Sequence, residues 1–176
     1  ANDFCEFMGF YLSEGCVINY EGSQRIHISQ SQKKFYEDIY KVCVRMFGKA
    51  ARCQDYIQVS LNKKDQQLLK YLSLGKSYQK YIPENIKELN PQLLTVFLFA
   101  YCKGDGSFIK GRVWDNYQCK DSRLFSTSSK RMADDLGELI LKTGNNPSYK
   151  VKPPGIGVYD KKYDKTYYSN HSMYIV

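Results

Sequence analysis

Phe7-Met8-Gly9-Phe10-Tyr11-Leu12-Ser13-Glu14-Gly15 returns 91 residues later as Leu98-Phe99-Ala100-Tyr101-Cys102-Lys103-Gly104-Asp105-Gly106. Each copy is an apolar helical stretch that ends in an acid followed by glycine. A second correspondence follows in the same order. Ile28-Ser29-Gln30-Ser31-Gln32-Lys33-Lys34-Phe35 returns at an offset of 97 as Phe125-Ser126-Thr127-Ser128-Ser129-Lys130-Arg131-Met132. Two matches in one order mark an internal duplication. Each half reads as helix, two strands, helix, two strands. The expectation is an α+β chain, with residues 1–89 as the first repeat with its linker and 90–176 as the second.

Local signals fill in this outline. Asp3 is suited to N-cap the first helix, with Glu6 three residues on as a capping-box partner, and Gly15 to stop it. Alternation at Arg25-Ile26-His27-Ile28-Ser29 and at Tyr56-Ile57-Gln58-Val59-Ser60-Leu61 predicts half-buried strands. Lys33 to Phe47 carries Phe35, Ile39, Val42, Cys43 and Met46 at helical spacing, ending near Gly48. In the second half, Ser107 to Trp114 and Arg123 to Thr127 read as strands, and Lys130 to Lys142 as a covering helix that ends near Gly144. Asn62 to Leu72 looks helical, Gly75 to Asn90 reads as a linker, Pro153 to Lys165 as a long exposed hairpin loop, and residues 166–176 as a last strand.

With 176 residues, 43% hydrophobic and 25% charged, the chain has an ordinary globular composition, which excludes wholesale disorder. Its longest apolar run, Leu93 to Cys102, is too short for a bilayer span, and no signal peptide opens the sequence, so the expectation is an intracellular protein without membrane contact. The net charge of +8 divides into +3 over residues 1–90 and +5 over 91–176. A basic excess over both halves favours an extended polyanion over a single charged tail. Six cysteines without any C-x-x-C, beside only two histidines, lack metal-ligand spacing and read as reduced thiols.

Gly9-x-x-x-Ser13 and Ala100-x-x-x-Gly104 put small residues one turn apart on each repeated helix, so two backbones can approach closely there. Packed along those faces, the helices end side by side and bring Glu14 and Asp105 together. Two carboxylates at the negative ends of two helix dipoles repel unless a cation lies between them. All-oxygen ligation of this kind suits Mg²⁺, with Mn²⁺ as its substitute. The plainer reading, polar residues at helix ends, must account for an acid at an unfavourable position twice in one motif.

The two nine-residue motifs, the Ser/Thr-Ser-Lys entry to the second helix and Tyr81-Ile82-Pro83 together resemble the double-motif LAGLIDADG (dodecapeptide, DOD-type) homing endonucleases, above all the endonuclease domains carried inside inteins. The stretch Phe97 to Ser107 is the specific match; the first motif is looser, with Glu14 where aspartate is commoner. The resemblance implies a pseudo-two-fold pair of αββαββα repeats, saddle-shaped antiparallel sheets lying in the DNA major groove, and the two motif helices at the central interface. It further implies metal-dependent hydrolysis of both strands leaving short 3′ overhangs, with Glu14 and Asp105 as catalytic metal ligands. Lys80, in Lys80-Tyr81-Ile82-Pro83, would be an active-site lysine. Lys103 departs from the pattern, standing where an acid is common, and would alter charge and metal affinity at the site. The resemblance sets a second active-site lysine beyond Val176. Neither an intein's N-terminal nucleophile nor its C-terminal His-Asn block is present, so self-splicing is not expected.

Base readout needs donors and acceptors on strands, and phosphate contact needs cations. Gln24, Arg25, His27, Ser29 and Gln58 supply the first half; Lys110, Arg112, Trp114, Lys150 and Lys152 supply the second. Ser60, Gln30, Gln54 and Gln118 are further polar candidates. Because the repeats are fused and unlike, a monomer on a long asymmetric double-stranded DNA site is expected. The alternative from a different class is a binding protein on the same scaffold: a nuclease-dead DNA-binding module or an RNA-splicing maturase.

Overall fold

The computed structural model describes residues 1–20, 22–30, 34–72, 75–111, 113–114, 117–118, 121–155, 157–160 and 164–176, with backbone alone at 69, 113, 114, 117, 118, 158–160, 165 and 167. The first motif forms α1 (Asn2–Glu14), followed by β1 (Gly15–Tyr20), β2 (Ser23–Ser29), α2 (Tyr36–Phe47), β3 (Ala51–Arg52) and β4 (Tyr56–Ser60). A short helix α3 (Glu84–Lys87) precedes α4 (Pro91–Asp105), which contains the second motif. Then come β5 (Gly106–Ile109), β6 (Val113–Trp114), β7 (Tyr117–Gln118), β8 (Ser122–Thr127), α5 (Lys130–Lys142), β9 (Lys150–Lys152), β10 (Gly157–Asp160), β11 (Lys165–Tyr168) and β12 (Met173–Ile175).

The strands form two four-stranded antiparallel sheets, ordered β1-β2-β4-β3 and β5-β8-β12-β9. Numbered within each half, the second order repeats the first once the hairpins β6–β7 and β10–β11 are set aside. Both hairpins are insertions between core strands, and both lie in the second half. The α+β duplication read from the sequence is therefore the architecture found.

α1 and α4 pack together at the centre. A Cβ on Gly9 would stand 2.5 Å from the Phe97 carbonyl oxygen and 2.7 Å from Ala100 Cβ, and one on Gly104 would collide with Ser13 Oγ. The two helix axes are thus as close as backbone permits, and only glycine fits at either point. Phe7, Phe10, Leu12, Phe97 and Tyr101 extend this contact into a core closed by Ile26, Ile28, Ile57 and Val59 from the first sheet and by Phe125, Leu136 and Leu139 from the second half.

Several local expectations give way. Ala1, without a side-chain bond, occupies the N-cap of α1. Asp3 and Glu6 instead face Arg45 of α2, Asp3 at 2.6 Å, because two acids on one helix face make a better pair for a guanidinium than for a single backbone N–H. Gly15 is extended rather than left-handed, and its lack of a side chain makes room for Tyr11. Asn62–Leu72 holds a 3₁₀ helix, Asp65–Tyr71. Residues 166–176 form parts of two strands rather than one, since β11 turns back on β10 before β12 joins the sheet. The supposed linker is the largest departure: Lys80, Ile82, Ile86 and Lys87 are all buried. Asp135 of α5 receives the Ile82 N–H at 2.8 Å and pairs with Lys87 at 3.1 Å, and Ser129 Oγ donates to the Lys80 carbonyl at 2.6 Å. Buried backbone must be hydrogen-bonded, and polar groups of the second half supply the partners.

Candidate active site and nucleic-acid face

Glu14 is the last residue of α1 and Asp105 the last of α4. Close packing at Gly9 and Gly104 brings those ends together, with Glu14 Cγ about 3.0 Å from where a Cβ on Gly104 would stand. Burial pushes Asp105 up to about 7; the Glu14 charge adds to the rise and Lys80 partly offsets it. Burial also raises Glu14, again with Lys80 opposing. Lys80 is itself lowered by burial, while Asp105 and Glu14 favour its charge. The two acids and the lysine therefore form one electrostatic unit in a low-dielectric setting.

Lys80 does not hang in solvent. Its Nζ donates to the carbonyl oxygens of Leu12 at 3.0 Å and Gly15 at 2.8 Å, with those of Tyr11 and Ser13 both at 3.4 Å. It caps the end of α1, where orphan carbonyls concentrate partial negative charge. Lys103, expected to alter the site's charge, turns away and pairs with Asp38 of α2 at 2.6 Å. The spacing of the motif hides this, because a position two residues before Asp105 lies about 200° around the helix, which carries the Lys103 side chain off the α1–α4 seam.

Among the described residues no group of three His, Cys, Asp or Glu side chains is gathered to hold a metal. Two carboxylates at two converging helix ends fit a hard cation that completes its shell with water and a phosphate oxygen. The destabilised charges of Glu14 and Asp105 fit it as well, since a divalent ion would relieve both burial and repulsion. Glu14 and Asp105 are the residues that could hold it.

The first sheet presents a polar face away from the helices. Register sets Cys16, His27, Gln58 and Ala51 in one cross-strand row and Ile18, Arg25 and Ser60 in the next. His27 Nε2 is 2.9 Å from Gln58 Oε1, and the His27 ring stacks on Tyr56 at 4.4 Å. Arg25 lies over Tyr20, 4.4 Å from the ring centroid. Ser29 is exposed on the same alternation. Tyr20 and Tyr56 escaped the sequence reading, although the alternation Cys16-x-Ile18-x-Tyr20 puts Tyr20 on this face.

Gln24 lies apart from these residues. It shares the alternation of Ile26 and Ile28 and so takes the helix side of the sheet, half-buried. Gln30 is buried on the same alternation. Lys110 also lies apart: one residue past β5 and exposed, it lines a cavity of about 720 Å³ with Thr95, Phe99, Phe108 and Arg123, on the α4 side. Even-numbered positions of β5 face α4, as the Phe99–Phe108 ring contact at 5.5 Å shows. Lys150 and Lys152 are exposed on the edge strand β9, opposite Ile175 and Met173 of the open face. Arg112 and Cys119 lie outside the described residues, as do the side chains of Trp114 and Gln118. The five described cysteines are all free. Among the described residues no helix is long and apolar enough to cross a membrane.

No family model matches the chain. It is 26% identical over 149 residues to a DNA polymerase of Thermococcus sp. (strain GE8), a match that covers 82% of this chain and 8% of that protein. The chain thus spans less than a tenth of that relative's length. In structure it is similar to I-DmoI in complex with DNA and Mn, with a TM-score of 0.59 at 10% identity, over 99% of this chain and 88% of that one. A variant of I-DmoI in complex with its target DNA in the presence of Mg gives a TM-score of 0.58 at 11% identity, over 99% and 87% of the two chains. I-DmoI is described as a homing endonuclease. The chain has the homing-endonuclease fold of I-DmoI, as its duplicated motifs led one to expect.

Proposed function

We propose that this chain is a site-specific, divalent-metal-dependent endonuclease for double-stranded DNA, of the LAGLIDADG type. The observation that carries the reading is the meeting of Glu14 and Asp105 at the ends of two packed helices, with burial raising both acids. A Mg²⁺ or Mn²⁺ ion held there supplies Lewis acidity and neutralises charge on a scissile phosphodiester. Glu14 and Asp105 are the residues that would hold such an ion, one from each repeat; one acid per strand would suit the paired cuts and short 3′ overhangs that the resemblance implies. Lys80 stabilises the negative ends of α1 and of the acid pair, which keeps both carboxylates aimed at the DNA. The open sheet faces follow the major groove. Arg25 and Gln58 present donors to base edges, and Lys150 and Lys152 contact phosphates.

The partial match to a much longer DNA polymerase, taken with the motif resemblance to intein endonucleases, supports an endonuclease region carried within a host protein. The fused, unlike repeats support a monomer on an asymmetric site. A second reading, a DNA-binding module without cleavage, is favoured by one observation: among the described residues the hydrogen-bond acceptors of Lys80 Nζ are main-chain carbonyls of α1 and β1, which turns its charge toward the helix cap. Incubation with a randomised-site duplex library decides between them. Cleaved products that require Mg²⁺ establish the nuclease; retained but uncut duplexes establish the binding module.

A further inference from the structure

Arg25 and Gln58 occupy adjacent cross-strand rows of the first sheet's open face, and both are arranged as donors. A carbonyl oxygen only accepts, so the 2.9 Å contact between His27 Nε2 and Gln58 Oε1 requires the imidazole to carry the hydrogen. One lone pair of the Gln58 carbonyl is thereby engaged and the oxygen is turned toward His27, which leaves the NH₂ group as the part best placed for a ligand. His27 cannot swing away freely, because its ring is stacked on Tyr56 at 4.4 Å. Arg25 reaches a similar state by another route. Its guanidinium rests on Tyr20, its Nε is buried without a hydrogen-bond partner, and it makes no ion pair among the described residues. A half-buried guanidinium that rests on an aromatic ring and has no ion pair among the described residues is poised for acceptors.

In the major groove, guanine offers two acceptors, N7 and O6, whereas adenine offers an acceptor beside a donor. A free glutamine pairs with adenine because it has both a carbonyl and an amide. A glutamine whose carbonyl is turned toward histidine presents its amide first, which disfavours that bidentate pairing. The rows of Arg25 and His27–Gln58 are two residues apart along β2, on the order of 7 Å, or about two base steps. At the positions 97 residues on, Ser122 and Leu124 replace Arg25 and His27, so the second sheet has no such pair there.

We infer that the first sheet reads guanine at two positions about two base steps apart in one half-site, through Arg25 directly and through Gln58 set in donor orientation by the positioning residue His27. This rests on the DNA-endonuclease reading above.

The test is binding to a randomised duplex library in EDTA, which blocks metal-dependent cutting, followed by sequencing of retained DNA. The wild type should enrich two such guanines, each by about tenfold or more over other bases. Arg25→Ala should lose the first guanine alone. His27→Phe keeps a ring against Tyr56 but releases the Gln58 carbonyl, so the second position should change from guanine to adenine. An unchanged base at that position in His27→Phe overturns the inference. So does an Arg25→Ala protein weakened alike on all sequences with a salt slope smaller by about one, the mark of a phosphate contact. A wild type that enriches a site without these guanines overturns this inference alone. A wild type that retains no duplex overturns the DNA reading with it.

Discussion

Lys80 Nζ donates to the Gly15 carbonyl at 2.8 Å, so a residue from the segment between the repeats caps the helix that carries Glu14. Sixty-five positions separate the two, and the lysine ammonium is the local counter-charge for both acids. Replacing Lys80 with methionine, of similar reach, removes charge-assisted hydrogen bonds from a buried site and should lower stability by about 2 kcal/mol in urea denaturation. It should also slow cleavage on both strands. The Mg²⁺ concentration for half-maximal rate should stay nearly unchanged, because Lys80 is a donor and not a ligand. Strand-labelled duplex kinetics give both quantities; an unaltered rate would leave Lys80 as a helix cap alone.

Glu14→Gln and Asp105→Asn each keep side-chain size and remove a charge. Each should abolish double-strand cleavage while DNA affinity stays within a few-fold, since cations on the sheet faces supply most of the binding. Filter binding beside a cleavage assay checks the split. A mutant that cuts at the wild-type rate removes that acid from the site.

The acid pair also makes stability depend on pH in an uncommon direction. Asp105 titrates at about 7 in the folded chain against an ordinary value of 3.8, so between those two values the folded state retains a proton that the unfolded state has released. Its contribution is complete below about pH 4, is lost as pH rises towards 7, and stays lost above. A divalent cation binds the ionised pair and should restore the loss. Thermal melts should therefore show a larger Mg²⁺-induced rise at pH 8 than at pH 5.5. Asp105→Asn should flatten the pH step and shrink the Mg²⁺ effect together.

Much of the fold is legible in the sequence, and for a physical reason. Duplication prints the same helix end twice, so Glu14 and Asp105 announce themselves by equivalence, and strict alternation at Arg25–Ser29 already separates Ile26 and Ile28 from His27. What stayed hidden depends on contacts distant in sequence. The segment 75–90 has linker composition, and only Asp135 and Ser129, some fifty residues on, reveal that it is buried. Lys103 looked like a perturbation of the acid pair because motif spacing gives position along a helix and not the direction of a long side chain. Polar composition near a strand end does not say which face Gln24 takes, whereas the register that pairs Val17 with Ile26 does.

Ser13 and Gly104 face each other across the α1–α4 contact, and their sizes are matched. A Cβ on Gly104 meets both Ser13 Oγ and Ser13 Cβ, the latter at 2.7 Å, while Ser13 Oγ donates to the Gly9 and Phe10 carbonyls at 3.1 Å and cannot rotate outward without losing them. Gly104→Ala should thus force the helices apart, costing about 1–3 kcal/mol as overpacking does in well-filled cores. It should reduce cleavage more than binding, because the first geometry to open is the approach of Glu14 to Asp105, one residue beyond each contact. Ser13→Gly alone removes two side-chain bonds and adds backbone freedom to a helix, at about 1 kcal/mol. Combined, the two changes exchange the small and the larger partner and remove the clash. The double mutant should accordingly be more stable than Gly104→Ala, with a coupling of at least about 1 kcal/mol, and should regain part of the lost cleavage. Denaturant melts of all four proteins close the cycle. Strict additivity would mean that the helix seam is loose and that the acids are held together by something other than its close packing.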